Sequence, residues 1–466
     1  MVASLRRCAV ALAAAALATT APAFGAGAPL KAPLPKGAAL KVAPIAFTER
    51  TLPNGLQVIA VPSSTSPTVS VQVWYHVGSK DDPEGRSGFA HLFEHLMFKS
   101  TRHLKSEQFD RLTEDVGGSN NAYTSDDVTV YHEVVPSNHL ETLLWAEAER
   151  MSNLDVVQTN FVSERGVVEE EYRQRVLASP YGRFGNAIAP ASYQVHPYKR
   201  PTIGSIDDLE AATLDDVKAF HGTFYRPDNA TLVVAGDFDP QQLDAWVDKY
   251  FARLSRPVAP VPKVQVDEPS WRADRHAEVT GPTVALPAIA YTWLAPPVTS
   301  PDAPALRIAA ALLSSGEASR LNQALVYRQQ IASQASFDAD LRAGPGLLSA
   351  SAVAAGGKPL VKVGAALLAE VNRLARRRVP AAELAKIKTQ ILTGALLARQ
   401  TPDGLASAVG DAAVLEGRAA NVNTELDALQ AVTAADVQRV LRRYVTGAHK
   451  VTLTYTQAPP APGASK

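Results

Sequence analysis

Two residue periods alternate along this chain from about residue 47 onward. Gly55–Val61, Thr68–Val77, Asp127–Val135 and Ala230–Ala235 are short runs of alternating or β-branched apolar residues, and each predicts a strand. Phe89–Phe98, Glu141–Met151 and Phe161–Leu177 space their apolar residues three and four apart among good helix formers, and predict helices. The mixture returns after residue 268. Pro304–Ser314, Leu360–Arg376, Ala381–Arg399 and Ala434–Tyr444 predict helices, and Val451–Tyr455 a strand. Such a chain belongs to the α/β (α+β) class, with helices packed on mixed sheets, and is not all-helical.

The second set of elements echoes the first. Leu209, Thr213 and Val217 recur 220 positions later as Leu429, Thr433 and Val437. A tyrosine (Tyr225, Tyr444) and a strand-like run follow in each block. Near the block starts, Pro67-Thr68-Val69 matches Pro282-Thr283-Val284 at an offset of 215. Matches in the same order at both ends predict an internal duplication, hence two homologous mixed-sheet domains. Stretches rich in Pro and Ala mark the seams. The division that follows is a signal peptide at 1–26, a Pro/Ala-rich leader at 27–46, a first domain at 47–255, a linker at 256–267, a second domain at 268–457 and a tail at 458–466.

Composition narrows the function classes. The 466 residues are 46% hydrophobic and 20% charged, which excludes wholesale disorder. The formal net charge of +0 gives no support to a nucleic-acid-binding surface. Arg6 and Arg7 precede an apolar run, Ala9–Ala18, and then Ala21-Pro22-Ala23 or Ala26-Gly27-Ala28 as cleavage sites, the pattern of a secretory signal peptide. That run is shorter than the ~18–20 apolar residues needed to span a bilayer. The mature chain is therefore expected to lack a membrane span and to be exported, to the periplasm in the first instance or secreted outright. The single cysteine, Cys8, leaves with the signal peptide, so a bound metal must be held by His and carboxylates.

His91-Leu92-Phe93-Glu94-His95 carries the chemistry. On a helix His91 and His95 stand at i and i+4, one turn apart on one face, where both imidazoles reach one metal ion. Glu94 lies beside them, placed to accept a proton from a water activated at that metal. The apolar flanks Gly88-Phe89-Ala90 and Leu96-Met97-Phe98 predict a buried helix. A two-histidine site needs a third ligand, usually a carboxylate, with one position left open. The best source is Ser163–Arg173, where Glu164, Val168 and Glu171 share one helical stripe. Glu171 is the expected ligand and Glu164 the carboxylate that orients a ligand. Glu169 and Glu170 point elsewhere and are expected to be solvated. Taken alone, an ordinary charged helix face is the plainer reading of this run.

Together these residues resemble the pitrilysin/insulinase family of inverted-motif zinc metallopeptidases, from about Phe47 to Gln457. The H-x-x-E-H helix is His91 to His95, and Glu164 to Glu171 is similar to the family's distal motif, whose last Glu is the third zinc ligand. Gly117-Gly118 followed by Asn121-Ala122-Tyr123-Thr124 and Tyr131 resembles the family's substrate-binding edge strand. His196-Pro197-Tyr198 with Ile203-Gly204 matches a further signature to which no catalytic role is assigned. The resemblance implies a pair of related α/β domains, a zinc metalloendopeptidase activity on extended peptides, and Zn2+ as cofactor. One ion per chain is expected, because the counterparts at 306–315 and 386–391 hold no such ligands.

One departure bears on partners. In active relatives the second half supplies an Arg and, seven residues on, a Tyr that bind substrate and stabilise the oxyanion. Here the segment Ala318–Arg328 is recognisable, the aligned positions hold Val326 and Ser333, and Arg328 falls on a different helix face. The resemblance then implies the zinc-bearing subunit of a heterodimer, whose homologous partner keeps the Arg/Tyr pair. A homodimer, or a weakly active monomer, is the alternative. A non-catalytic assembly or scaffold protein, or a peptide-binding member of the same family, is the reading from another class. The intact His91/Glu94/His95/Glu171 set speaks against it.

Overall fold

The computed structural model describes residues 42–459. The expected signal peptide with Cys8, the leader before Val42 and the tail beyond Pro459 lie outside the described residues. Two sheets organise the rest. The first comprises β1 (Thr48–Thr51), β2 (Gln57–Pro62), β3 (Thr68–Tyr75), β4 (Ser119–Thr124), β5 (Thr129–Pro136) and β6 (Ala230–Gly236), in the order β1-β2-β6-β3-β5-β4. The second comprises β7 (Arg275–Gly281), β8 (Ala288–Ala295), β9 (Ala332–Asp340), β10 (Gly346–Ala354) and β11 (Val451–Gln457), in the order β7-β11-β8-β10-β9.

Apart from β1, the two orders are the same. In each sheet the first strand pairs in parallel with the last, and the three remaining pairings are antiparallel. The repeated threonines Thr213 and Thr433 both open a capping box. Thr213 Oγ1 accepts from Asp216 N at 3.2 Å while Thr213 N donates to Asp216 Oδ2 at 3.0 Å, and Thr433 with Asp436 does so at 3.2 and 2.9 Å. At the block starts, however, the offset is corrected. The counterpart of β3, which Pro67 precedes, is β8, and the proline before β8 is Pro287. Pro282-Thr283-Val284 lies in the loop between β7 and β8, so the offset of 215 gives way to 220 at both ends.

The halves are not simply consecutive. The Gly182–Ser192 helix packs on β7, β8 and β11 of the second sheet, with Phe184 buried beside Ala288, Ala290 and Tyr455. Its counterpart 220 residues on, the Pro402–Val414 helix, packs on β3 and β6 of the first. There Ile59, Val61, Trp74 and Val233 meet Ala406, Val409 and Ala413 in one apolar cluster. This exchange explains the composition of β3. Val69, Val71, Val73 and Tyr75 face the first half's own helices, while Ser70, Gln72 and Trp74 face the incoming helix. There Gln72 Nε2 donates to Asp403 Oδ1 at 2.9 Å and Ser70 Oγ to the same atom at 3.2 Å. Polar residues on a strand buried on both faces are affordable only with such partners.

The 256–267 stretch has no regular structure and is strapped to the first half, where the Arg226 guanidinium donates to Pro257 O at 2.7 Å and Ala259 O at 2.8 Å. Ile45, near the end of the expected leader, exchanges two hydrogen bonds with the Asn423 side chain. No helix among the described residues is long and apolar enough to cross a membrane.

Candidate active site

The Phe89–Leu96 helix is held at its start by a buried carboxylate. Asp82 Oδ2 accepts from Gly88 N at 2.7 Å and Oδ1 from Ala90 N at 2.9 Å, satisfying donors that a helix start leaves free. Burial pushes the Asp82 carboxyl up to about 7 despite these bonds. Gly88 is left-handed (φ +100°) and touches Gly204 (φ +76°), where an added Cβ would lie 2.3 Å from Ser87 O. The Ile203-Gly204 signature is thus the wall against which the histidine helix begins. Phe89, Ala90, Leu92 and Phe93 fill the core. The Tyr131 hydroxyl donates to Phe93 O at 2.9 Å. Behind Tyr131, the wholly buried Arg150 stacks on its ring at 4.5 Å and pairs with Glu147 and Glu133 at 2.5 and 2.6 Å. What remains of the helix surface carries His91, Glu94 and His95.

The Gln158–Tyr172 helix packs against this one. Its stripe Glu164, Val168 and Glu171 faces the histidines. Glu171 Oε2 lies 3.5 Å from His91 Nε2 and 3.4 Å from His95 Nε2. Ligands ~2.0–2.1 Å from a tetrahedral zinc are about 3.3–3.4 Å apart, so Glu171 Oε2 stands to each imidazole as two ligands of one ion would, and ligand atoms of all three residues lie within 4.8 Å of one another. Among the described residues these three form the one group able to hold a metal in this way. Burial, with His95 and Arg175 nearby, lowers the His91 imidazole to about 3, leaving its lone pair free for a metal. Burial also pulls His95 down, but the nearby carboxylates of Glu164, Glu171 and Glu94 outweigh it and raise it. Glu164 Oε2 lies 3.8 Å from His95 Nδ1, and its other oxygen is paired with Lys99 at 2.8 Å. It therefore stands behind the ligand, where it orients the ring.

Glu169 departs from expectation. It is not solvated but clamped between Arg165 and Arg173, at 3.6 and 3.2 Å, whereas Glu170 is 56% exposed.

Glu94 lines a cavity of about 630 Å³ with His91, His95, Glu171 and all four residues Asn121–Thr124. Burial raises its carboxyl above the usual range, which favours a proton carrier. Asn121 to Thr124 belong to β4, the end strand of its sheet, paired only with β5. Asn121 Oδ1 accepts from Ala122 N at 2.9 Å. Two lining residues escape the sequence reading, Arg175 and Thr202, and a third, Ile203, entered it only within a signature without an assigned role. Arg175 Nε is paired with Glu171 Oε1 at 2.9 Å, and its i+4 spacing was the signal available for it. Thr202 arrives on a loop that has no periodic pattern.

The second half contributes no lining residue among those described. Ser333 lies on β9, with its hydroxyl directed to Val353 O at 3.4 Å. Val326 sits in the Asn322–Arg328 helical turns, and Arg328 lines a separate groove with Arg320, Arg377 and Arg378.

A family model described as Insulinase (Peptidase family M16) matches residues 57–205, the span that contains His91, His95 and Glu171, and one described as Peptidase M16 inactive domain matches 211–391. The zinc protease PqqE of Helicobacter pylori is 36% identical over 344 residues, 72% of this chain and 77% of that protein. A probable mitochondrial-processing peptidase subunit beta of Arabidopsis thaliana is 25% identical over 404 residues, 85% of this chain and 75% of that one. The crystal structure of a protease from Helicobacter pylori superposes with a TM-score of 0.85 at 30% identity, covering 89% of this chain and 100% of the other. With the duplicated sheets, the paired histidines and this likeness over most of its length, the chain belongs to the insulinase family of peptidases, family M16.

Proposed function

We propose that this chain is a zinc metalloendopeptidase of an exported compartment, hydrolysing extended peptides as the zinc-bearing, catalytic subunit of a heterodimer. The observation that carries the activity is the spacing of His91 Nε2, His95 Nε2 and Glu171 Oε2, with Glu94 in the same cavity. His91, His95 and Glu171 would hold one zinc ion, which when bound acidifies a neighbouring water and polarises a carbonyl. Glu94 takes the water's proton and returns it to the leaving amine, a task that suits a carboxyl raised by burial. A peptide lies extended along Asn121–Thr124, adding a strand to the free side of β4. Main-chain recognition of this kind constrains side chains weakly, so unfolded peptides of varied sequence are the expected substrates.

The heterodimer rests on Val326 and Ser333 standing where active relatives carry Arg and Tyr, and export on the leader sequence. A Glu94→Gln chain is expected to keep its zinc and lose activity by about 10²–10⁴-fold. Full activity in that variant would remove the general-base assignment, and a zinc content near zero in the parent would favour the scaffold reading. Addition of a co-encoded homologue carrying the Arg/Tyr pair should raise turnover by about 10²–10³-fold, the usual worth of oxyanion donors. An equally active isolated chain would refute the two-subunit assembly.

A further inference from the structure

The end of β4 nearest the metal ligands is gripped by the half of the molecule that lacks them. Thr124, which lines the cavity, leads into the Ser125–Val128 turn that joins β4 to β5. In the second half the turn at the same topological position, residues 341–345, joins β9 to β10. The two homologous turns meet at their tips. Asp126 Oδ2 is paired with the Arg342 guanidinium at 3.2 Å, and Asp126 Oδ1 accepts from Ser79 Oγ at 3.0 Å. Asp127 Oδ2 accepts from Ala343 N at 3.0 Å. Tyr198, 1% exposed, is the peg between them: its hydroxyl donates to Asp127 Oδ1 at 2.6 Å and accepts from Gly344 N at 3.0 Å. Arg342 is fixed in turn, stacked over Tyr198 at 4.8 Å and bonded to Asp340 Oδ2 at 2.6 and 2.8 Å. Tyr198 belongs to the His196-Pro197-Tyr198 signature, which the sequence reading left without a role.

An end strand paired on one side only is among the parts of a sheet that open most readily. Several charge-assisted hydrogen bonds concentrated at one end of β4 oppose that opening where a peptide would reach the histidines. None of Tyr198, Arg342, Ala343 or Gly344 lines the cavity. We propose that the metal-free half is a positioning element for peptide binding. Its Arg342–Gly344 turn, with Tyr198 as peg, holds the Asp126–Asp127 turn and so keeps the free edge of β4 in place beside His91 and His95. The proposal rests on the reading that peptides dock on β4.

The test uses the full chain, loaded with zinc and silenced by Glu94→Gln, with fluorescein-labelled casein peptides as the probe. In that background Arg342→Ala and Tyr198→Phe are expected to weaken peptide binding about tenfold, the equivalent of one or two hydrogen bonds. Zinc stoichiometry should stay at the parent value, Arg342→Lys should recover part of the affinity, and amide exchange should accelerate in β4 but not in β2 or β6. Should Arg342→Ala fail to fold, Tyr198→Phe removes a single oxygen and carries the test. Parent-like peptide affinity in the folded variants overturns the proposal. Docking on β4 is tested apart from it: a Tyr123→Pro chain that binds these peptides as tightly as the parent refutes the docking itself.

Discussion

Glu171 divides its two oxygens between two tasks. Oε2 faces both imidazoles, while Oε1 is paired with the Arg175 guanidinium. Arg175 is 74% exposed, and an ion pair so open to water adds little to stability. Its effect is to aim the carboxylate. Replacing Arg175 by Ala should therefore lower zinc affinity ten- to hundredfold, the usual consequence of losing a group that orients a ligand, while Tm stays near the parent value. Chelator competition measures the first and a thermal melt the second. The same competition separates the two neighbouring carboxylates. Glu171→Gln should empty the site, whereas Glu170→Gln, whose partners are Gln174 and Arg173 at the surface, should bind zinc as the parent does.

The histidine helix is only eight residues long, and its position depends on what holds its first turn. Asp82 satisfies two of its amides and Gly204 presses against Ser87 and Gly88. Gly204 meets two separate demands: a left-handed backbone, and a contact too close for a Cβ. A Gly204→Ala chain should lose at least about 2 kcal/mol, read as a lower urea midpoint. Because the displaced segment is the start of the ligand helix, zinc affinity should fall with it. Full stability together with unchanged zinc binding would show that the loop simply moves aside. The element-level reading of the sequence succeeds where period and function coincide: Leu360–Arg376 is a helix with the expected bounds. It misses Thr202 and gives Ile203 no role at the site, since residues brought by an irregular loop leave no periodic trace.

At the scale of the whole molecule, two homologous halves each lend a helix to the other's sheet. The Pro402–Val414 helix comes so close to the first sheet that a Cβ on Gly410 would lie 2.4 Å from the Trp74 ring. Gly410→Leu should therefore cost about 1–3 kcal/mol by overpacking, seen as a lower Tm. The effect should be transmitted to both halves as one cooperative transition, because the buried polar groups Ser70 and Gln72 lose Asp403 when that helix lifts. Two separate transitions in calorimetry would contradict this. The second half, without metal ligands of its own, is thus required for the first to close its core. It also supplies the turn that clasps the Ser125–Val128 turn beside β4.

Several features were decided locally and were legible in the sequence. The i, i+4 histidines with Glu94, the Glu164–Glu171 stripe and the repeated Leu-Thr-Val spacing are fixed by helix geometry and by residue chemistry within a few positions. Even the buried setting of the ligand helix follows from its apolar flanks. Only the tertiary structure could decide the rest. It brought Glu171 to within 3.5 Å of both histidines across about 80 residues of chain. It placed β4 at the edge of its sheet, exchanged the helices between halves, and set the turns 125–128 and 341–345 tip to tip. Those outcomes depend on which surfaces bury one another over long separations, and no local spacing records that choice.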